Sequence, residues 1–86
     1  MSVLKVYNPI DIEVDHGDGV YLYAIDGTRF LDFTSGIGVN CLGHSHPSLV
    51  NALKNQGEKI WHCSNLFKVL GQEKVADKLV KNSFAS

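Results

Sequence analysis

Only two cysteines and two prolines occur among the 86 residues, and neither sign of charge dominates, with eight Lys and Arg against nine Asp and Glu. Two cysteines do not build a disulfide framework, so Cys41 and Cys63 are expected to be reduced, small, buried hydrophobes in a cytoplasmic chain. A formal net charge of −1 provides no basic footprint for nucleic acid or an anionic membrane surface, and neither partner is expected. No apolar run approaches the roughly eighteen residues of a bilayer span, and no charged-then-apolar leader opens the chain. Internal repeats, low-complexity tracts and a convincing linker are also missing. A chain of this length forms one small domain at most and buries roughly 60–65% of its unfolded surface, so it is expected to be marginal alone, or a piece of something larger.

Glycine and histidine are concentrated instead. Residues 34–47, Thr-Ser-Gly-Ile-Gly-Val-Asn-Cys-Leu-Gly-His-Ser-His-Pro, hold three of the eight glycines and two of the four histidines. Glycine permits positive φ and close backbone approach, so an irregular apolar loop carrying Ile37, Val39 and Leu42 is expected here, covered by a partner surface. The loop ends at His46-Pro47, where proline suits the first turn of a helix.

Before the loop, residues 1–10 alternate apolar positions and break at Asn8-Pro9, as an arm rather than a core strand. Ile12 to Asp15, a Gly17-Asp18-Gly19 turn and the β-formers Val20 to Ile25 predict a hairpin. Asp26-Gly27 is a two-residue turn signal, and Arg29 to Phe33 completes a three-stranded antiparallel meander. After the loop, Leu49, Val50, Leu53, Gly57, Ile60 and Trp61 recur at helical spacing, predicting one amphipathic helix from Pro47 through Trp61, about 22 Å long. A second helix is predicted from about Gly71 to Asn82, with Val75, Ala76, Leu79 and Val80 inward, Glu73 early, and Lys78 and Lys81 late as the macrodipole prefers. The fold class is α+β.

Several constellations admit a chemical reading and a plainer one. Cys41, His44, His46, His62 and Cys63 are soft metal ligands, but no C-x2-4-C or H-x3-5-H pair occurs, and histidines that hydrogen-bond and cap backbone at a loop-to-helix junction account for them better. Gly17-x-Gly19 and Gly36-x-Gly38 lack the following x-x-Gly that opens a dinucleotide-binding helix. Ser35, Ser45 and Ser64 lack a nucleophile elbow and are expected to be turn and cap residues.

Three strings in register are more specific: Asp26-Gly27-x-x-Phe30-Leu31-Asp32-Phe33, then Ser35-Gly36-Ile37-x-Val39-Asn40-x-Leu42-Gly43-His44-x-His46-Pro47, then Trp61-His62-x-Ser64-Asn65-Leu66-Phe67. From about residue 7 to 86 the chain resembles the N-terminal part of class III pyridoxal-phosphate aminotransferases, which share fold type I. Its strings are most similar to the branch acting on N-acetylornithine, with succinylornithine, ornithine and 4-aminobutyrate as neighbouring substrates. The resemblance implies that residues 1–86 form an N-terminal segment without the large cofactor-binding domain. It implies pyridoxal phosphate as cofactor of the whole enzyme, a homodimer, amino transfer to 2-oxoglutarate in arginine synthesis, and no catalytic or cofactor-binding residue in this chain. It also implies a substrate-pocket wall made by Ile37, Val39, Asn65 and Phe67, with Lys68 a departure from the aromatic or small polar residue often found beside it. The alternative of another class is a small non-catalytic interaction domain.

Overall fold

Three short strands and a bulge explain how the N-terminal third folds. In the computed structural model, which describes residues 2–85, the elements are β1 Val14–Asp18, β2 Tyr21–Ala24, β3 Arg29–Leu31, α1 Ser35–Gly38, α2 Pro47–Gly57 and α3 Gln72–Lys81. The strands form one antiparallel sheet in the order β1-β2-β3, the expected meander. Residues 2–10 carry no regular structure and are exposed, as an arm would be. Two compact units divide the chain, Met1–Leu53 and Lys54–Ser86.

The first hairpin differs from the expected one. β1 runs through Gly17 to Asp18, and the loop is Gly19-Val20, with Gly19 at φ 59 in the first position of a type II′-like turn. A bulge between Val14 and His16 shifts the register, so the alternation read from Ile12 to Asp15 does not continue in phase. The second hairpin also closes differently. Gly27 N–H donates to Ala24 O (2.9 Å) and Ala24 N–H to Thr28 O (2.9 Å), giving a three-residue loop with Gly27 at φ 88. A type I turn followed by a left-handed glycine is the ordinary three-residue solution. Asp26 fixes it by accepting from Thr28 N–H at 2.9 Å, a bond that lowers the Asp26 carboxyl pKa. β3 ends at Leu31, two residues before Phe33.

Period-two alternation puts Tyr21 and Tyr23 on one sheet face with their cross-strand partners. The His16 ring stacks on Tyr23 (centroids 4.7 Å, 5° between planes), and the Arg29 guanidinium lies 4.4 Å from the Tyr21 ring centroid. Ala24, on the opposite face, is buried, and no other described hydrophobic residue is.

Helix α2 stops at Gly57, four residues before the expected end. At about 16 Å it is shorter because glycine is a poor helix former and the following residues cap it instead of extending it. The Trp61 indole N–H donates to Gly57 O (2.8 Å), and the Gln56 side-chain amide donates to Ile60 O (2.8 Å). The bounds of helix α3 agree with expectation, but Val75, Ala76, Leu79 and Val80, expected to face inward, are exposed because nothing among the described residues packs against that face. Gly71 (φ 93) precedes it, Glu73 lies in the first turn, Lys78 and Lys81 lie in the last, and Asn82 closes it through N–H and Nδ2 bonds to Lys78 O. Neither helix has a buried residue, and Leu53, Trp61, Leu66 and Leu79 are all exposed.

Apolar side chains left in water at roughly 1.5–3 kcal/mol each strongly favour association. The 86-residue chain alone is therefore expected to self-associate or to unfold without cooperativity. A monodisperse monomer in sedimentation velocity at micromolar concentration, with a sharp reversible melt, would contradict this.

Candidate functional site

The glycine-rich loop is held at both ends by one carboxylate. Asp32 follows β3, and its own N–H still donates to Val20 O at 2.8 Å. Its Oδ1 accepts from Thr34 N–H (3.0 Å), Thr34 Oγ1–H (2.7 Å) and Ser35 N–H (3.0 Å). Its Oδ2 lies 2.6 Å from His44 Nε2, which must be the protonated ring nitrogen because a carboxylate only accepts. The Asp32 side chain is 4% exposed and that of His44 19%.

His44 is in turn fixed to the sheet. His44 N–H donates to Gly19 O (2.8 Å) and Gly19 N–H to His44 O (3.0 Å). A Cβ at Gly43 would stand 2.7 Å from Gly19 O, and one at Gly17 would stand 2.5 Å from His44 Cβ. These glycines therefore serve backbone-to-backbone and ring-to-backbone packing. The loop leaves through His46, whose Nδ1 accepts from Ser48 N–H (3.2 Å) and whose carbonyl accepts from Val50 N–H (3.0 Å). Histidines hydrogen-bonding and capping at this junction is what the sequence predicts.

Between these anchors, Ser35–Gly38 make one left-handed turn: φ is 45, 64, 66 and 72 at Ser35, Gly36, Ile37 and Gly38. Thr34 O accepts from Ile37 and Gly38 N–H (2.8 and 3.0 Å), and Ser35 O from Val39 and Asn40 N–H (2.9 and 3.0 Å). Left-handed backbone costs about 1–2 kcal/mol per non-glycine residue, and a β-branched one is rare there. Ile37 is nonetheless held at that φ while the residue is 94% exposed. Backbone strain of this kind clusters at active sites and ligand clamps, which makes Ile37 a candidate position.

The four residues expected to line a pocket fall into two pairs. Ile37 and Val39 share the loop of the first unit, both exposed. In the second unit, Asn65 and Phe67 share a turn in which Ser64 (φ 72) accepts from Leu66 N–H through Oγ (3.2 Å) and from Phe67 N–H through its carbonyl (3.4 Å). Asn65 lines a ≈370 Å³ cavity with Gln56, Trp61 and Cys63, and Lys68 lines a ≈660 Å³ one at the start of α3. The cysteines depart from expectation. Cys41 is exposed and Cys63 half-buried, because the surfaces around them bury almost nothing. Among the described residues, no group of three His, Cys, Asp or Glu is placed to hold a metal. The one sequence signal for this role of Asp32 is Asp-x-Thr, a side-chain-to-backbone turn pattern.

Comparison with known proteins covers nearly the whole chain. Residues 3–86 match the family model described as aminotransferase class-III. The acetylornithine aminotransferase of Mesorhizobium japonicum is 52% identical over 84 residues, covering 98% of this chain and 21% of that protein. Among solved structures, N-acetylornithine aminotransferase from Stenotrophomonas maltophilia matches with TM-score 0.79 and 38% identity over 85% of this chain and 20% of that one. Plasmodium falciparum ornithine delta-aminotransferase matches with TM-score 0.86 and 31% identity over 93% of this chain and 21% of that one. The chain thus spans about a fifth of the length of the relatives it matches.

The Thr34 hydroxyl, the His44 ring and the Ser35 N–H, in that order, draw the Asp32 carboxyl pKa from its ordinary 3.8 to about 2. A pKa lowered on folding stabilises the loop fully above pH 3.8, and that stabilisation is lost as pH falls through about 2. Amide-exchange protection at Ser35 and His44 should therefore hold above pH 4 and collapse between about pH 4 and 2, and Asp32→Asn should flatten this dependence. Gly43→Ala should lower protection at Gly19 and His44 at every pH, by about 1–3 kcal/mol of local opening, since backbone has to move.

Proposed function

Because this chain belongs to the class III aminotransferases, we propose that it is the N-terminal part of an acetylornithine aminotransferase, exchanging an amino group between N-acetylornithine and 2-oxoglutarate in arginine biosynthesis. The observation that carries the proposal is the 52% identity to an acetylornithine aminotransferase across 98% of the chain. An ornithine aminotransferase is the second reading, favoured by the 31% identical Plasmodium falciparum structure. Succinylornithine and 4-aminobutyrate follow from the sequence resemblance alone. The exposed apolar residues of α2 and α3 support a working form in which further chain and a second subunit cover them, and the small number of cysteines suits the cytoplasm.

The family's cofactor is pyridoxal phosphate, which supplies the electron sink for amino transfer. Its site needs an amine for the aldehyde, a carboxylate for the pyridine nitrogen and a cluster of donors for the phosphate. Neither Asp32 nor Lys68 fits that set. Both oxygens of Asp32 are taken by Thr34, Ser35 and His44. Lys68 shares its cavity with Glu73, whose carboxylate opposes a phosphate at the start of α3. We propose no cofactor-binding or catalytic role for this chain. What it supplies is wall. Ile37 and Val39 offer an apolar, water-excluding surface, Asn65 and Phe67 a polar group and a ring, and discrimination among ω-amino substrates is read by the size and polarity of such surfaces.

Replacing the matching segment of the Mesorhizobium japonicum enzyme with residues 1–86 tests the reading. The chimera should transaminate N-acetylornithine, and a soluble, cofactor-loaded chimera without that activity would defeat the proposal. In the active chimera, Ile37→Tyr should change the ratio of kcat/KM for acetylornithine over ornithine by about tenfold or more while cofactor content stays constant. Unchanged constants for both substrates would remove Ile37 from the pocket.

A further inference from the structure

The hydrogen bonds around the left-handed turn converge on Asp32. Asp32 Oδ1 binds Thr34 and Ser35, and the carbonyls of those two residues receive the N–H groups of Ile37, Gly38, Val39 and Asn40. Asp32 Oδ2 binds the His44 ring, whose backbone is doubly paired with Gly19 in the sheet turn. The carboxylate is thus a junction. One oxygen organises the turn, and the other ties it to the sheet through His44.

We propose that Asp32 is a positioning residue for substrate selectivity, setting the direction in which Ile37 is presented. The inference rests on the reading of Ile37 as substrate-facing. Ile37 is held at φ 66, in a conformation it would leave if released, because an isoleucine prefers β or right-handed backbone. Ile37 has no side-chain packing of its own to keep it there, at 94% exposure. The restraint is therefore upstream, in the bonds that close the turn, and each of those begins at Thr34 or Ser35. Removing the Asp32 acceptors lets the turn relax toward ordinary φ and swings the Ile37 side chain, without altering any group that touches substrate. Thr34 is the intermediate link, since its hydroxyl and its N–H both donate to Asp32 while its carbonyl holds Ile37 and Gly38.

A double-mutant cycle in the cofactor-loaded aminotransferase chimera carrying this chain tests the proposal, with the ratio of kcat/KM for acetylornithine over ornithine as readout. Ile37→Gly, which the positive φ favours, serves as the reference variant and should shift the ratio. Asp32→Ala should also shift it, by about tenfold, on the scale of a pocket altered by a methylene or more, with cofactor content per subunit unchanged. Asp32→Asn, which keeps one carbonyl acceptor, should shift it less. In the Ile37→Gly background, Asp32→Ala should add less than about twofold, because the side chain it positions is gone. Thr34→Val, removing the hydroxyl link, gives the same coupled pattern and stands in for Asp32→Ala should that variant not fold. If Ile37→Gly leaves the ratio unchanged, the substrate-facing reading fails and the proposal falls with it. If Ile37→Gly shifts the ratio but the Asp32 and Thr34 variants do not, or shift it equally in both backgrounds, Asp32 is only structural and the proposal alone is overturned.

Discussion

The carboxylate of Asp32 is the constraint on which the ordered part of the first unit depends. It is nearly solvent-free yet accepts hydrogen bonds from the Thr34 N–H and hydroxyl, the Ser35 N–H and the His44 ring, so both oxygens are satisfied by neighbours rather than by water. A charge whose side chain is shielded from water is tolerated only on such terms. Because the donors come from the start of the loop and from its far end, twelve positions after Asp32, one side chain closes a loop whose own apolar residues bury almost nothing.

Glycine makes that closure possible at two places. Gly43 lies against the Gly19 backbone and Gly17 against the His44 ring, distances at which a Cβ has no room. The loop thus docks onto the β1–β2 turn by backbone contact and hydrogen bonds, not by hydrophobic packing. This explains how a sheet with one buried hydrophobic residue, Ala24, still presents a defined loop. It also explains why β1 continues through Gly17 where a turn was expected: the glycine is there for its neighbour's ring.

The same scarcity of core suits the reading proposed above, in which further surface covers this segment. Class III membership accounts for the chain's matching nearly end to end with proteins about five times its length. The division of labour is physical. In the first unit an outward isoleucine sits on a strained turn, and in the second a separate turn carries Asn65 and Phe67; on the reading proposed above, such surfaces shape a pocket while the cofactor carries the amino transfer.

Much of the architecture was legible in the residues themselves. Period-two alternation and the glycine turns specify a three-stranded antiparallel meander, and the helical spacing of Val75, Ala76, Leu79 and Val80, with Gly71 and Asn82 at the ends, places α3 almost to the residue. These are short-range preferences carried by neighbours in sequence. Tertiary structure decided what depends on distant partners. The register of β1 follows a bulge and a ring packed on Gly17, and the exposure of Cys41 follows from how little surface is buried around it. The end of α2 at Gly57 lies between these cases, since helical periodicity runs on through Ile60 and Trp61 while the Trp61 indole and the Gln56 amide cap the helix. Above all, the meeting of Asp32 with His44 carries no periodic signal, because a hydrogen bond across twelve residues is specified only once the chain between them has folded.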